Sequence, residues 1–198
     1  MNDGEVIAHR DPPGWFVIGR YPEGSDELVD IVAANLRTAG FFVKVSSDVM
    51  PYKWGKLMEN MGNAIDAITN AKRDDVIPIV RASQKEFQEI LTQAGIHLVS
   101  QEELARDWPE IRTPLRGRLE IEQRSSTWQS LARHQGSVET EFLNGEVVRL
   151  ARRLGKQAPI NEMLLRISQE MAANREPPGK YTPVQLSKLL GINHIEHK

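Results

Sequence analysis

Hydrophobic residues in the first quarter of the chain form two short β-like runs separated by a helical stretch. Residues 15–20 and 41–45 are rich in aromatic and β-branched side chains. Between them, apolar positions from Leu28 to Leu36 recur at helical spacing after Ser25, which is a suitable N-cap. This pattern predicts a β-α-β unit. Because two strands alone do not make a stable sheet, another chain or a sheet edge elsewhere is expected to complete it.

From Met50 onward the hydrophobic pattern is helical throughout. Apolar runs with a 3.6-residue period alternate with breaks that contain glycine or proline, which are typical of helix ends. The predicted helices cover residues 51–71, 74–94, 100–107, 126–135, 138–154, 160–175 and 182–190. We therefore predict a mainly α protein with three regions. These are a partial α/β domain over 1–48, a helical domain over 49–175 and a loosely attached tail with a short helix over 176–198.

The first of these predicted helices has two faces of different chemistry. At about 100° per residue, Lys56, Asn60, Asn63 and Asn70 share one stripe, and the large apolar side chains lie on the other side. Asparagine is a mediocre helix former because its amide competes for nearby backbone groups. Several asparagines beside one lysine therefore indicate a surface suited to hydrogen bonding. A lysine flanked by neutral amides can act on a substrate carbonyl.

Two positions in the later helices are further candidates. On the predicted 138–154 helix, Glu139 shares a side with the apolar residues, where lost hydration would require a cationic partner such as Lys56 or would perturb its ionisation. Equally, Glu139 is an ordinary first-turn acid at the positive end of a helix dipole. Ser126 lies in a hydroxyl cluster at a helix start, which suits a carboxylate or phosphate, but a serine there is as readily an N-cap.

Composition excludes several classes of function. The net charge of −2 gives no electrostatic case for binding nucleic acid or a membrane surface. The chain has no cysteine, so disulfides and thiolate chemistry are excluded, and its five histidines are scattered without forming a convincing metal site. No apolar run is long enough to span a bilayer, and the N-terminus lacks the pattern of a signal peptide. A soluble cytoplasmic protein is the expectation.

Four segments occur in an order that resembles one family. They are residues 53–64, 125–131, 139–145 and 158–161. Together they resemble the C-terminal helical domain of the ketopantoate reductase family, the NADP-dependent 2-dehydropantoate 2-reductases. The resemblance extends from about residue 12 to 175. It implies an all-helical domain of the 6-phosphogluconate-dehydrogenase C-terminal-like type, preceded by a β-α-β remnant of a Rossmann domain.

The resemblance also implies roles for individual residues. Lys56 matches the family's general acid, which protonates the ketone oxygen of the substrate. Asn60 matches an amide that binds the substrate, and Ser126 matches a hydroxyl that contacts the substrate carboxylate. Glu139 matches the glutamate that works beside the lysine. The activity implied is reduction of a small 2-oxo acid with NADPH by a homodimer.

The chain departs from the family pattern in three ways. No Gly-rich phosphate loop is present, because Gly14 and Gly19 flank a strand and do not spell G-x-G-x-x-G. The NADP motif is thus absent, which favours a separate cofactor-binding polypeptide and an isolated chain without activity. A second family amide falls at Ala64, with Asn63 one position earlier as the candidate substrate ligand. The segment from Ser126 to Glu139 is also one residue longer than usual, which leaves a different substrate open.

Two functions of other classes remain open from the sequence. One is a non-catalytic helical module for dimerisation or for binding a small acid, which has lost its cofactor half. Stable dimers without cofactor affinity would favour this alternative. The other is DNA binding, because residues 182–193 faintly resemble a helix-turn-helix, although their basic content is modest.

Overall fold

The computed structural model describes residues 13–111 and 124–192. Its helices are α1 (Glu27–Thr38), α2 (Met50–Glu59), α3 (Asn63–Thr69), α4 (Arg73–Gln93), α5 (Gln101–Asp107), α6 (Ser126–Ala132), α7 (Asn144–Arg153), α8 (Pro159–Ala173) and α9 (Pro183–Leu189). Two strands, β1 (Trp15–Ile18) and β2 (Phe42–Val45), and three 3₁₀ turns, Asn60–Gly62, Pro109–Ile111 and Glu139–Phe142, complete the described elements. The prediction of a mainly α fold after a β-α-β unit is confirmed.

The described residues form two compact units that interleave along the chain. Unit 1 contains residues 13–55 and 98–111, and unit 2 contains residues 56–97 and 124–192. This division differs from the consecutive ranges predicted from the sequence, 1–48 and 49–175. The reason is that the start of α2 bonds within unit 1, where the amide of Val99 donates to the carbonyl of Pro51 at 3.0 Å.

Unit 1 is built on the predicted β-α-β unit. The strands are parallel, with Trp15 opposite Phe42 and Ile18 opposite Val45. Asp26, rather than Ser25, caps α1, because its carboxylate accepts from the amide of Val29 at 3.0 Å. An acidic side chain at this position also favours the positive end of the helix dipole.

Unit 2 packs its helices around α3. The seven residues of α3 include four apolar side chains with no exposed surface, Ala64, Ile65, Ala67 and Ile68. Side chains from α4, α6, α8 and α9 complete this core, namely Ile79, Leu131, Leu164, Met171 and Leu186. A short helix buried on most of its surface draws its stability from this packing rather than from helix propensity.

Residues 176–192 are part of this core, so the prediction of a loosely attached tail is wrong for them. The amides of Gly179 and Tyr181 donate to the carbonyls of Ala67 and Ile68, both at 3.1 Å. These bonds satisfy carbonyl groups at the end of α3 that have no partner within the helix. Leu186 of α9 is fully buried. Residues 193–198, the last of the predicted tail, lie outside the described residues.

Two of the predicted helices are interrupted. The predicted 51–71 helix divides into α2, a 3₁₀ turn and α3, and the interruption contains Asn60 and Gly62, which are poor helix formers. The predicted 138–154 helix divides at Leu143, whose φ of −107° and ψ of −95° are not helical. The turn before Leu143 is therefore rotated relative to α7, so that Thr140 is buried. Its hydroxyl accepts a hydrogen bond from the hydroxyl of Ser168 at 2.9 Å.

Candidate functional site

Lys56 lies on the exposed side of α2, four residues before Asn60. Its side chain is 62% exposed, and its ammonium lies 2.8 Å from a carboxylate oxygen of Glu59, one helical turn later. The neighbouring residue Gly55 is buried, so the helix presents the lysine outward from a buried side. The cationic partner proposed for Glu139 is therefore paired with Glu59 instead.

Asn60 and Asn63 follow Lys56 on successive turns. The 3₁₀ turn Asn60–Gly62 has three residues per turn, so side chains three apart are aligned, and Asn60 and Asn63 lie on one line. The backbone N–H of Asn63 donates to the backbone carbonyl of Asn60. The side chain of Gln84, on α4, donates to the backbone carbonyl of Met58 at 3.1 Å. These bonds fix the backbone that carries both asparagines.

Ser126 is the first residue of α6, and its neighbour Ser125 takes the capping role. The hydroxyl of Ser125 accepts from the amide of Trp128 at 3.2 Å and donates to the carbonyl of Asn63 at 3.2 Å. The second of these bonds places the start of α6 beside Asn63. Ser126 is exposed, and its hydroxyl is not needed as a cap.

Three polar side chains of this region have no hydrogen-bond partner among the described residues. They are the side-chain amides of Asn60 and Asn63 and the hydroxyl of Ser126. By contrast, Asn70, on the same predicted stripe, is used within the fold, since its side-chain oxygen accepts from the indole of Trp128 at 2.9 Å. The structure thus separates one structural asparagine from two whose amides are available to a ligand.

Glu139 is exposed, and the prediction that it lies on the apolar side of a helix is wrong. It begins the 3₁₀ turn before Leu143, where Thr140 takes the buried position. Within residues 13–111 and 124–192 its carboxylate has no ion-pair partner, and no hydrogen bond joins it to Lys56 or Ser126. Four of the five candidate residues lie on α2, the following turn, α3 and α6. Glu139 lies on the 3₁₀ turn Glu139–Phe142, which packs against α6.

Comparison with known proteins decides the family. Residues 48–172 match the family model described as ketopantoate reductase PanE/ApbA, C terminal. The chain belongs to the ketopantoate reductase family. The match includes all five candidate residues and α2 to α8.

Individual relatives agree with this membership. A 2-dehydropantoate 2-reductase from Pyrococcus horikoshii is 30% identical over 159 residues, which are 76% of this chain and 50% of that protein. The crystal structure of a PanE/ApbA family ketopantoate reductase from Ralstonia eutropha JMP134 is 26% identical with a TM-score of 0.61, and covers 82% of this chain and 52% of that chain. D-mandelate dehydrogenase, in a complex structure with NADH, shares the fold at 16% identity, with a TM-score of 0.61 over 82% of this chain and 55% of that chain. The chain spans about half the length of the curated relatives it matches.

Sequence reasoning missed a buried polar network in this ketopantoate reductase family chain. The side-chain oxygen of Asn161 accepts from Ser83 at 2.9 Å and from Asn144 at 2.8 Å, and all three residues are fully buried. Glu86 completes the network by accepting from the amides of Ile160 and Asn161 at 2.9 and 2.8 Å, which caps α8. No local pattern indicates this network, because Ser83 and Asn161 are 78 positions apart in the chain.

Residues 13–111 and 124–192 contain no group of three His, Asp or Glu side chains arranged to hold a metal ion. Across the same residues no helix combines the length and the apolar character that a membrane span requires.

Proposed function

We propose that this chain is the substrate-binding half of a ketopantoate-reductase-like oxidoreductase that reduces a small 2-oxo acid with NADPH. One observation carries the proposal. Asn60, Asn63 and Ser126 present hydrogen-bonding groups without partners among the described residues, on adjacent backbone segments that follow Lys56. Solvent-accessible polar side chains that the fold itself does not use, on backbone fixed by other contacts, are available to bind a polar ligand.

Each of these residues has a role in that chemistry. Reduction of a ketone creates negative charge on its oxygen, and the ammonium of Lys56 is placed on the exposed side of α2 to donate a proton to that oxygen. The amides of Asn60 and Asn63 donate to the substrate, and the hydroxyl of Ser126 donates to its carboxylate. Before the substrate arrives, the ammonium of Lys56 is paired with the carboxylate of Glu59. Glu139 stays a candidate for the same site by family resemblance.

The residues of unit 1 do not fit a phosphate-binding loop. Gly19, at the end of β1, is required by packing, because a Cβ atom there would lie 2.1 Å from the carbonyl oxygen of Ser46. The glycines of the described β-α-β unit, Gly14, Gly19, Gly24 and Gly40, do not have the G-x-G-x-x-G spacing that brings backbone amides against a pyrophosphate. We propose that the NADPH site belongs to a separate cofactor-binding half, and we assign no step of hydride transfer to the described residues.

The β1 edge of the two-stranded sheet is free among the described residues, and the cofactor-binding half is a candidate to cover it. On the outer edge of β2, the carbonyl of Val43 accepts from the guanidinium of Arg37 at 2.8 Å. On β1, the carbonyls of Gly14 and Ile18 bond to β2, and the outward backbone groups of Trp15 and Val17 have no partner among the described residues. We propose that a strand of the cofactor-binding half pairs with β1, since such an edge readily accepts a further strand.

Titration with NADPH tests the proposed function. The purified 198-residue chain is titrated while nicotinamide fluorescence is recorded, and a 2-oxo acid such as 2-dehydropantoate is then added. We expect weak or no NADPH binding by the chain alone, and NADPH oxidation once a polypeptide with an NADPH site is supplied. Stable homodimers that bind a small acid but never support NADPH oxidation would favour the non-catalytic module instead.

Replacement of Lys56 tests its assigned role. In the system that oxidises NADPH, Lys56→Ala should lower turnover of the 2-oxo acid by about 10²-fold or more, the usual loss when a general acid is removed. Lys85→Ala is the matched control, because Lys85 of α4 is an exposed helical lysine 4.0 Å from a carboxylate oxygen of Glu89 and has no assigned role in the site. Equal turnover in the two variants would contradict the role of Lys56 as the proton donor.

A further inference from the structure

Asp66 joins the two backbone segments that carry the unsatisfied polar groups. One oxygen of its carboxylate accepts from the guanidinium of Arg124 at 2.9 Å, and the other accepts from the amide of Ser125 at 2.9 Å. The side chains of Asp66 and Arg124 are only 23% and 19% exposed. The amide that Asp66 holds belongs to the residue immediately before Ser126.

Further contacts fix the same two segments. Arg124 also donates to the carbonyl of Ala71 at 3.2 Å, and its guanidinium carbon lies 5.6 Å from the ring centre of Trp128. The indole of Trp128 donates to Asn70 at 2.9 Å, and the hydroxyl of Ser125 donates to the carbonyl of Asn63. The start of α6 is thereby bonded to both ends of α3.

The carboxylate of Asp66 is the centre of this arrangement. A helix as short as α6 has little stability of its own, so the direction of Ser126 depends on what holds the residues before it. Without the carboxylate, the partly buried guanidinium of Arg124 and the amide of Ser125 would both lose an acceptor. The segment from Arg124 to Ser126 would then reorient before any core side chain moved.

We propose that Asp66 is a positioning residue for substrate binding, which holds the hydroxyl of Ser126 beside the amide of Asn63. This inference rests on the proposed function, because it assumes that Ser126 binds the carboxylate of a 2-oxo acid. Asp66 itself does not touch the substrate in this assignment. Its effect on binding passes entirely through Ser126.

A double-mutant cycle tests the assignment on the full 198-residue chain. The variants are Asp66→Asn, Ser126→Ala and the two combined, and the probe is 2-oxoisovalerate, titrated with NADPH present and followed by amide chemical shifts. We expect the Kd to rise about 5-fold for each single variant, as loss of one hydrogen bond predicts. The double variant should be no weaker than Ser126→Ala, because groups that act through one another do not add.

Two controls separate positioning from general damage to the fold. Asp74→Asn makes the same substitution at an exposed aspartate of α4 and should leave the Kd unchanged. The indole resonance of Trp128 should move more in Asp66→Asn than in Ser126→Ala, because the ring packs against Arg124, the ion-pair partner of Asp66, and its N–H donates to Asn70.

The outcomes distinguish this inference from the proposed function. If Ser126→Ala weakens binding and Asp66→Asn does not, or if the two losses add in the double variant, Asp66 has no positioning role. A lower melting temperature with additive losses would likewise assign Asp66 to stability alone. If the unmodified chain binds no 2-oxoisovalerate at any NADPH concentration, the proposed function is overturned and the role of Asp66 with it.

Discussion

The two compact units bury their apolar side chains to different degrees. In unit 2, α3 has four apolar residues without exposed surface, and α4, α6, α8 and α9 all contribute to the same core. In unit 1, α1 buries only Val29 and Ala33. The large exposed hydrophobic residues are concentrated in unit 1, namely Phe16, Tyr21, Leu28, Ile31 and Val32, against Phe142, Val184 and Leu189 in unit 2.

This difference indicates that unit 2 is closed around its own core and unit 1 is not. A sheet of two strands has too little area to form a stable core, and contiguous exposed apolar residues on a helix typically mark a surface that another polypeptide covers. The exposed side of α1 therefore agrees with the proposal that a cofactor-binding half pairs with unit 1.

The largest expected effect separates two isoleucines on helices. Ile68 of α3 has no exposed surface and Ile31 of α1 is 50% exposed. Ile68→Ala should lower the free energy of unfolding by about 2–5 kcal/mol, because it leaves a cavity in a packed core. Ile31→Ala should change it by less than about 0.5 kcal/mol, as surface substitutions usually do. Urea unfolding followed by circular dichroism measures both.

A large loss in Ile31→Ala would break the comparison. It would mean that the exposed side of α1 is buried when the chain is in solution, for example against a second copy. Analytical ultracentrifugation of the unmodified chain would then show a dimer, and Ile31→Ala would shift it toward monomer.

Much of the fold was predictable because local patterns specify it. The predicted helix 74–94 differs from α4 by one residue at each end, and the predicted helix 100–107 differs from α5 by one residue at its start, since Gly95 and Pro109 follow their ends. The β-α-β unit was predictable for the same reason. The break at Leu143 was not, because it depends on Thr140 and Asn144 binding side chains of α8, which follows them in the chain.

The candidate site was predictable only in part. Lys56, Asn60 and Asn63 lie within eight residues, so their common stripe could be read from helical spacing. The contact between Asp66 and Arg124 could not be, because the two residues are 58 positions apart and no local pattern links them. The side chain of Asn70 accepts from Trp128, whereas those of Asn60 and Asn63 have no partner among the described residues. This difference depends on the position of α6, which only the structure supplies.

A medium difference in stability is expected between the alanine variants of Gly55 and Gly62, which lie on either side of Lys56 in the chain. A Cβ atom on Gly55 would lie 2.1 Å from the carbonyl oxygen of Val99, within unit 1. Gly55→Ala should therefore destabilise the protein by about 1–3 kcal/mol, the usual cost of overpacking. Gly62→Ala, in unit 2, would meet a methyl group of Val80 at 3.6 Å, an ordinary contact, and should be neutral or slightly stabilising.

Melting temperatures of the two glycine variants sharpen the comparison. They test whether unit 1, despite its exposed helix, is tightly packed at the contact between Gly55 and Val99. Equal melting temperatures would show that the segment around Val99 moves away from α2 at little cost. Unit 1 would then be loosely packed there as well as on the outer side of α1.

The smallest expected effect is a difference in pH dependence. In unit 1, hydrogen bonds from Arg20 and from the amide of Val29 lower the pKa of Asp26 below 3.8. In unit 2, a hydrogen bond to Glu170, assisted by Glu176, raises the pKa of Lys180 above 10.5. Both units therefore contain charges whose folded-state pKa differs from the unfolded one, but in opposite pH ranges.

The sign differs between the two groups because one pKa is lowered and the other is raised. Asp26 stabilises unit 1 above its unfolded pKa, and this contribution is lost as the pH falls through the lower folded value. Lys180 stabilises unit 2 fully below 10.5, and its contribution is lost as the pH rises through the higher folded value. Lys180→Gln should therefore lower the melting temperature at pH 9. The corresponding loss in free energy of unfolding is at most about 1 kcal/mol, as for ion pairs near the surface. The difference between the two proteins should shrink towards pH 12. A difference that stayed constant to pH 12 would show that Lys180 contributes through packing of its aliphatic stem rather than through its charge.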